Sequence, residues 1–207
     1  MERDNAEAGL RIEGLAAPRA EPARDGLPPD DRALAQILDT ATTVPDHGNL
    51  QPWRFAVVTG PGKQKLADAL AEGLHLTRGA DLPESAVTKM RGKAFAAPCT
   101  VVLIASPHPE SNVPVWEQVA SASCTGYAVV LAAVALGFGA VWKSAAVLDT
   151  QPLRSLFALS VDERLLGWVN IGTPDTRSKR PAAPVDLSAL VTVIDGDQRP
   201  FEASPAS

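Results

Sequence analysis

The sequence predicts a single domain of the α/β or α+β class, built on one central sheet. Three observations lead there. Helical and strand patterns alternate along the chain with no internal repeat. The run Cys99-Thr100-Val101-Val102-Leu103-Ile104-Ala105 lacks the polar alternation of a half-exposed strand, and so reads as a strand covered on both faces. The 207 residues, 45% of them hydrophobic, fit one domain with appendages on a prior of roughly 150 residues per domain.

Residues 1–29 are rich in Ala, Arg, Glu and Pro and end in Leu27-Pro28-Pro29, a composition that buries little surface unless something holds it down. They are expected to dock late, as a tail. Asp30 is a plausible N-cap for a helix carrying Leu34, Ile37, Leu38 and Ala41 at i, i+3, i+4, i+7 spacing, which should stop before Pro45. Trp53 to Thr59, rich in β-branched and aromatic residues, reads as a strand ended by Gly60-Pro61-Gly62. A helix with Leu66, Leu70 and Leu74 on one face follows, and a more charged helical stretch spans Glu84 to Phe95.

After the Cys99 strand, a long apolar helix is predicted from Val115 to Leu136, closed by Gly137. Its segment from Val119 to Phe138 has no charged residue and matches the ~20 residues that cross a bilayer. Its first half is small and polar (Ser121, Ser123, Cys124, Thr125, Gly126), and its flanks carry neither a Lys/Arg cluster nor an aromatic belt. A buried helix is the better reading, and no membrane partner is expected. Ala140-Val141-Trp142 and Leu165 to Ile171 read as two further strands, with Gly139 and Gly172 suited to tight turns.

Nineteen Lys+Arg against 24 Asp+Glu give a net charge of -5. With no basic run to displace counterions, a nucleic-acid partner is not expected. Cys99 and Cys124 are too few for a disulfide scaffold or a thiolate metal site. The N-terminus has no apolar stretch after a basic start, so a cytoplasmic location is expected.

Several chemical motifs fail on inspection. Gly60-Pro61-Gly62-Lys63 resembles the end of a phosphate loop, but Val57 stands at the first glycine and Gln64 where a hydroxyl must hold Mg²⁺. Gly137-Phe138-Gly139 follows a helix, not a strand, and has Trp142 at the third glycine of a dinucleotide fingerprint. No Gly-x-Ser-x-Gly elbow is present. His47, His75 and His108 lack the short spacing that places two ligands on one metal, so no metal is expected. What remains is the loop Val44-Pro45-Asp46-His47-Gly48-Asn49-Leu50-Gln51-Pro52-Trp53, which gathers hydrogen-bonding side chains and a reversible base between a helix and a strand. By residue type it is either a site or a plain turn in which Asp46 and Asn49 satisfy backbone groups and His47 is a surface histidine.

That loop, the strand opening Trp53-Arg54-Phe55, the Val115-Trp116-Glu117-Gln118 helix start, the Ala132 to Gly139 segment with Trp142, and Ile171-Gly172-Thr173-Pro174 together resemble the nitroreductase family. The subgroup is that of small single-domain NAD(P)H nitroreductases with a Pro-Asp-His loop, and the resemblance covers residues 31–175. It implies an α+β fold: a central mixed sheet flanked by helices, in an intertwined homodimer with FMN at each subunit interface. It further implies three segments: a Pro-rich front at 1–29, an FMN-binding domain at 30–175 and a C-terminal extension at 176–207. The long apolar helix would then form much of the interface, its small residues allowing close approach.

Carried over by position, Pro45-Asp46-His47 matches the loop over the flavin, with His47 as a contact, and Asn49 stands where wider relatives hydrogen-bond the ring. Trp142, Lys143 and Ser144 match a segment lining the flavin, where a cation would stabilise the reduced ring or the phosphate. Ala132, Ala133, Val134, Ala135, Leu136 and Gly137 match a stretch associated with the nicotinamide nucleotide. Arg19 is the nearest match to the Arg-Arg-Ser that binds the FMN phosphate, but Pro18 and Ala20 replace its neighbours and Thr43 stands where some relatives have Arg. Each lost charge-assisted bond or hydroxyl is worth on the order of 1–3 kcal/mol unless Arg24 or the Arg177-Ser178-Lys179-Arg180 run replaces it.

The implied activity is hydride transfer from NAD(P)H onto FMN N5 and on to a small-molecule electron acceptor, a nitroaromatic, quinone or similar compound, with ping-pong kinetics and no catalytic side chain. The rival readings are a flavin-binding carrier or sensor without efficient turnover, and a dimeric scaffold that binds no flavin.

Overall fold

The computed structural model describes residues 21–175, 185–194 and 198–200. Four strands make the main sheet: β1 (Trp53–Val58), β2 (Cys99–Ala105), β3 (Gly139–Lys143) and β4 (Arg164–Gly172), in the order β1-β2-β4-β3. All seven residues of β2 are buried, as expected for a strand covered on both faces. Every neighbouring pair is antiparallel, which corrects the expected mixed sheet. The reason is topological: β2 and β3 run in the same direction, but β4 inserts between them and opposes both. A second, two-stranded antiparallel sheet pairs β5 (Thr192–Ile194) with β6 (Gln198–Pro200), within the C-terminal extension expected at 176–207.

Helices cover both faces. On one side α1 (Asp31–Ala41) and α4 (Val115–Ala135) enclose a core of Ile37, Ala41, Val101, Leu103, Val129, Ala133, Val169 and Ile171. On the other, α2 (Gly62–Arg78) and α5 (Gln151–Leu156) pack Leu66, Leu70, Leu74 and Leu153 against Val102, Ile104 and Trp168, and α3 (Glu84–Gly92) packs on α2. Adjacent strand residues point to opposite faces, so alternate residues of β2 and β4 feed separate cores. α1 starts at its expected cap, where Asp30 Oδ1 accepts from the Ala33 N–H at 2.8 Å.

α4 is the one helix among the described residues long and apolar enough to cross a membrane by length and composition. Its inner residues cover the sheet, while Trp116 is 70% exposed and Tyr127 51% on the outside. The helix ends in a Schellman motif: Gly137, at φ 85, lets its N–H reach the Val134 carbonyl at 2.9 Å and the Phe138 N–H reach that of Ala133 at 2.9 Å. The chain then turns directly into β3.

Residues 21–27 lie along the end of β4. Ala23 N–H donates to the Thr173 carbonyl at 2.8 Å, Asp175 N–H to that of Glu21 at 2.7 Å, and Leu27 N–H to Thr173 Oγ1 at 3.0 Å. The expectations for residues 1–20, including Arg19, and for Arg177 to Arg180 lie outside the described residues.

Candidate functional site

The Pro45 to Gln51 loop is clamped onto the start of α4. Asp46 Oδ2 accepts from the Gln51 N–H at 2.6 Å, and His47 to Asn49 form one 3-10 turn. Asn49 and Gln51 take left-handed backbone conformations, φ 52 and 49, a strain that the clamp must hold. His47 Nδ1 meets Glu117 Oε2 at 2.9 Å, and the Ser121 hydroxyl donates to the Pro45 carbonyl. Buried Gln118 fixes the next loop, accepting from the His108 N–H at 2.7 Å and donating to the carbonyls of His108 and Val113. His47 and Asn49 are left exposed on the outer surface.

A cavity of about 230 Å³ opens on the α2 side of the sheet, lined by Lys93, Ala96, Lys143, Ser144, Trp168 and Asn170. Trp168 and Asn170 stand two apart on β4 and therefore share a face. Lys143 Nζ pairs with Glu21 Oε1 at 2.9 Å, and Lys93 Nζ lies 3.4 Å from the Ser144 carbonyl. Asn170 is only 2% exposed. Its Oδ1 accepts from the Thr100 hydroxyl at 3.0 Å, and that hydroxyl accepts from Lys63 Nζ at 2.6 Å. The Asn170 Nδ2 has no acceptor among the described residues, and a buried donor left so costs on the order of 1–3 kcal/mol. Lys93, Lys143 with its ammonium paired to Glu21, and the Asn170 amide therefore line one small space. Its complement is a group rich in hydrogen-bond acceptors and electrons.

A model of the nitroreductase family matches residues 25–173 of the chain. The chain belongs to the nitroreductase family. YdjA of Escherichia coli strain K12, provisionally named an NAD(P)H nitroreductase, is 33% identical over 173 residues, which is 84% of this chain and 90% of that protein. The structure of a nitroreductase-like family protein from Bacillus cereus superposes with a TM-score of 0.72 at 21% identity, covering 89% of this chain and 95% of that one. NfnB from Sphigopyxis sp. strain HMH, described as an FMN and NADPH-dependent nitroreductase, gives a TM-score of 0.69 at 22% identity over 86% of this chain and 96% of its own. Family membership establishes the α+β fold and places the chain among oxidoreductases.

Within this nitroreductase-family chain, the residues singled out from sequence fall in three places. Lys143 and Ser144 line the cavity. Trp142, one residue earlier on β3, turns to the other face, where its ring lies over Gly126 and its Nε1–H reaches the Leu166 carbonyl at 3.3 Å. His47 and Asn49 sit at the start of α4, and neither lines the cavity. The Ala132 to Gly137 stretch is the far end of the same helix: Ala132 and Ala133 are core, whereas Ala135, Leu136 and Gly137 are exposed. Lys93 and Asn170 were not among the sequence candidates. The available signal was the polar residue in the otherwise apolar Leu165 to Ile171 run, matched by Thr100 in the facing strand.

Proposed function

We propose that this protein is an FMN-dependent oxidoreductase that carries hydride equivalents from NAD(P)H to a small-molecule acceptor such as a nitroaromatic or quinone. The observation that carries the reading is the cavity itself, where Lys93, Lys143 and the unmatched Asn170 amide suit the acceptor-bearing edge of a flavin. The names of NfnB and YdjA, with FMN and NADPH in the first and NAD(P)H in the second, point the same way. When bound, the flavin supplies the reversible two-electron chemistry, so no side chain need act as nucleophile. Lys93 and Lys143 would offset negative charge at the ring edge, and Ser144 would add a hydroxyl at the cavity rim.

A cavity of about 230 Å³ is smaller than the roughly 300–1,000 Å³ of enclosed ligand sites, so one chain covers only part of a flavin nucleotide. A second copy would supply the rest. His47 and Asn49 face outward beside α4, and the outer side of that helix presents Trp116, Cys124 and Tyr127. Because α4 and the cavity lie on opposite faces of the sheet, in a homodimer joined through α4 the loop of one subunit would have to reach the other's cavity around the β3 edge, where Lys143 and Ser144 stand. The exposed Ala135 to Gly137 end of α4 would then flank the nicotinamide. A cytoplasmic location accords with the two free cysteines.

Purified protein is expected to be yellow, or to become yellow when FMN is added, and to bleach within seconds under anaerobic NADPH or NADH, with colour returning on addition of a quinone. A protein that stays colourless with excess FMN overturns the reading, and one that binds FMN but stays oxidised is a carrier instead.

A further inference from the structure

Lys63 is a costly side chain to bury. It is 4% exposed, stands in the first turn of α2 where the helix dipole is already positive, and pairs with no carboxylate among the described residues. A methionine would fill a similar space without desolvating a charge. What a methionine lacks is a donor, and the hydrogen bond that Lys63 makes from Nζ goes to Thr100 Oγ1 at 2.6 Å.

That bond decides the direction of the next one. A hydroxyl has a single proton, and an ammonium can only donate. With Lys63 donating to its oxygen, Thr100 gives its own proton to Asn170 Oδ1, 3.0 Å away across the β2–β4 ladder in which the two residues face each other. The carboxamide is thereby fixed with oxygen toward Thr100 and nitrogen away from it. Without Lys63, Thr100 can accept from a flipped Asn170, and the amide donor is consumed inside the sheet.

We infer that Lys63 and Thr100 are positioning residues, which lock the Asn170 carboxamide with its N–H bonds turned into the Lys93–Lys143 cavity to hold a carbonyl of the flavin. This rests on the flavin reading above, and it adds to that reading a reason for a buried, unpaired lysine some distance from the cavity wall. The relay sets ligand affinity through geometry and not through charge at the ring.

The test is FMN release from the flavin-loaded full-length protein on serial dilution, read as recovery of flavin fluorescence. Wild type, Lys63→Met, Thr100→Val, Asn170→Ala and the Lys63→Met/Asn170→Ala double variant are compared, with thermal midpoints measured alongside. Asn170→Ala is expected to raise the FMN Kd roughly tenfold, the loss of about one hydrogen bond to a buried donor. Lys63→Met and Thr100→Val should each raise it several-fold, and Lys63→Met should add nothing once Asn170 is gone. A lysine with a purely structural role would move the thermal midpoint in both backgrounds and leave Kd unchanged. Equal Kd in wild type and Lys63→Met, or losses that add in the double variant, overturn the relay while the flavin reading stands. A wild-type protein that never binds FMN overturns both.

Discussion

Lys63 and Glu163 both make the fold more stable as pH rises, in separate pH windows, and Cys99 works against them. Burial holds the Lys63 ammonium at about 8 against an ordinary 10.5, so above pH 8 the unfolded chain binds the proton more tightly and the fold gains as pH rises. Burial also pushes the Cys99 thiol up to about 11 from 9.0, so above pH 9 the unfolded chain gives up that proton first and the fold loses. Between pH 8 and 9 the lysine is the larger of the two effects. Urea titrations there should show wild type gaining about 1 kcal/mol relative to Lys63→Met. Glu163 acts in the same sense as Lys63, but in the acid range. Arg54 donates to both its oxygens, at 2.6 and 2.8 Å, and this contact, aided by the Ser160 N–H and the Ser106 hydroxyl, lowers the carboxyl to about 2 from 4.5. The stabilisation is complete above pH 4.5 and is lost as pH falls toward 2, and Glu163→Gln should remove that acid-side loss at a cost on the order of 3 kcal/mol at pH 7. At this scale the sequence was readable only in part. Lys143 and Ser144 were reached through their resemblance to a family segment, but Lys63, Thr100 and Asn170 are remote in sequence and meet only through strand register.

Among the elements, α4 is the most informative. Its length, lack of charge and terminal Gly137 are all visible in the sequence, and its boundaries were expected to within a residue. Gly126, in its middle, has a role no pattern reveals: a Cβ there would lie 2.5 Å from Leu103 Cδ1 and 2.9 Å from the Trp142 ring. Gly126→Ala should therefore cost on the order of 1–3 kcal/mol in thermal or urea unfolding and alter the emission of Trp142. The missed elements share a cause. α5 has six residues and β5 and β6 three each, too short for any hydrophobic period to develop. Trp142 illustrates another limit, since a run of adjacent letters on a strand carries no mark of which side each faces.

For the molecule as a whole, the outer side of α4 is a candidate contact surface, with Trp116 and Tyr127 open in the single chain. If two chains join there, sedimentation should show a dimer for wild type. Trp116→Glu should shift it to monomer. A wild-type monomer that retains FMN would refute the shared site. The class of fold was legible from alternating patterns, and the two-sided cover of β2 from its composition. Strand order was not, because pairing partners are set by which edges remain open after the helices dock, and no local signal encodes that. Hence the sheet proved antiparallel where a mixed one was expected.

The late arrival of β4 has a consequence for how the protein is made. It is the last strand of the main sheet to be synthesised, yet it sits between β2 and β3 and closes the cavity wall with Trp168 and Asn170. Until residue 172 has left the ribosome, β2 and β3 each present an open edge, and the apolar inner side of α4 has no finished surface to rest on. A nascent chain whose emerged part ends before Arg164 should be sticky and a target for chaperones, and one emerged past Asp175 should not. Ribosome-release profiling by protease would place that change within a dozen residues, and would give this protein a late, all-at-once moment of folding.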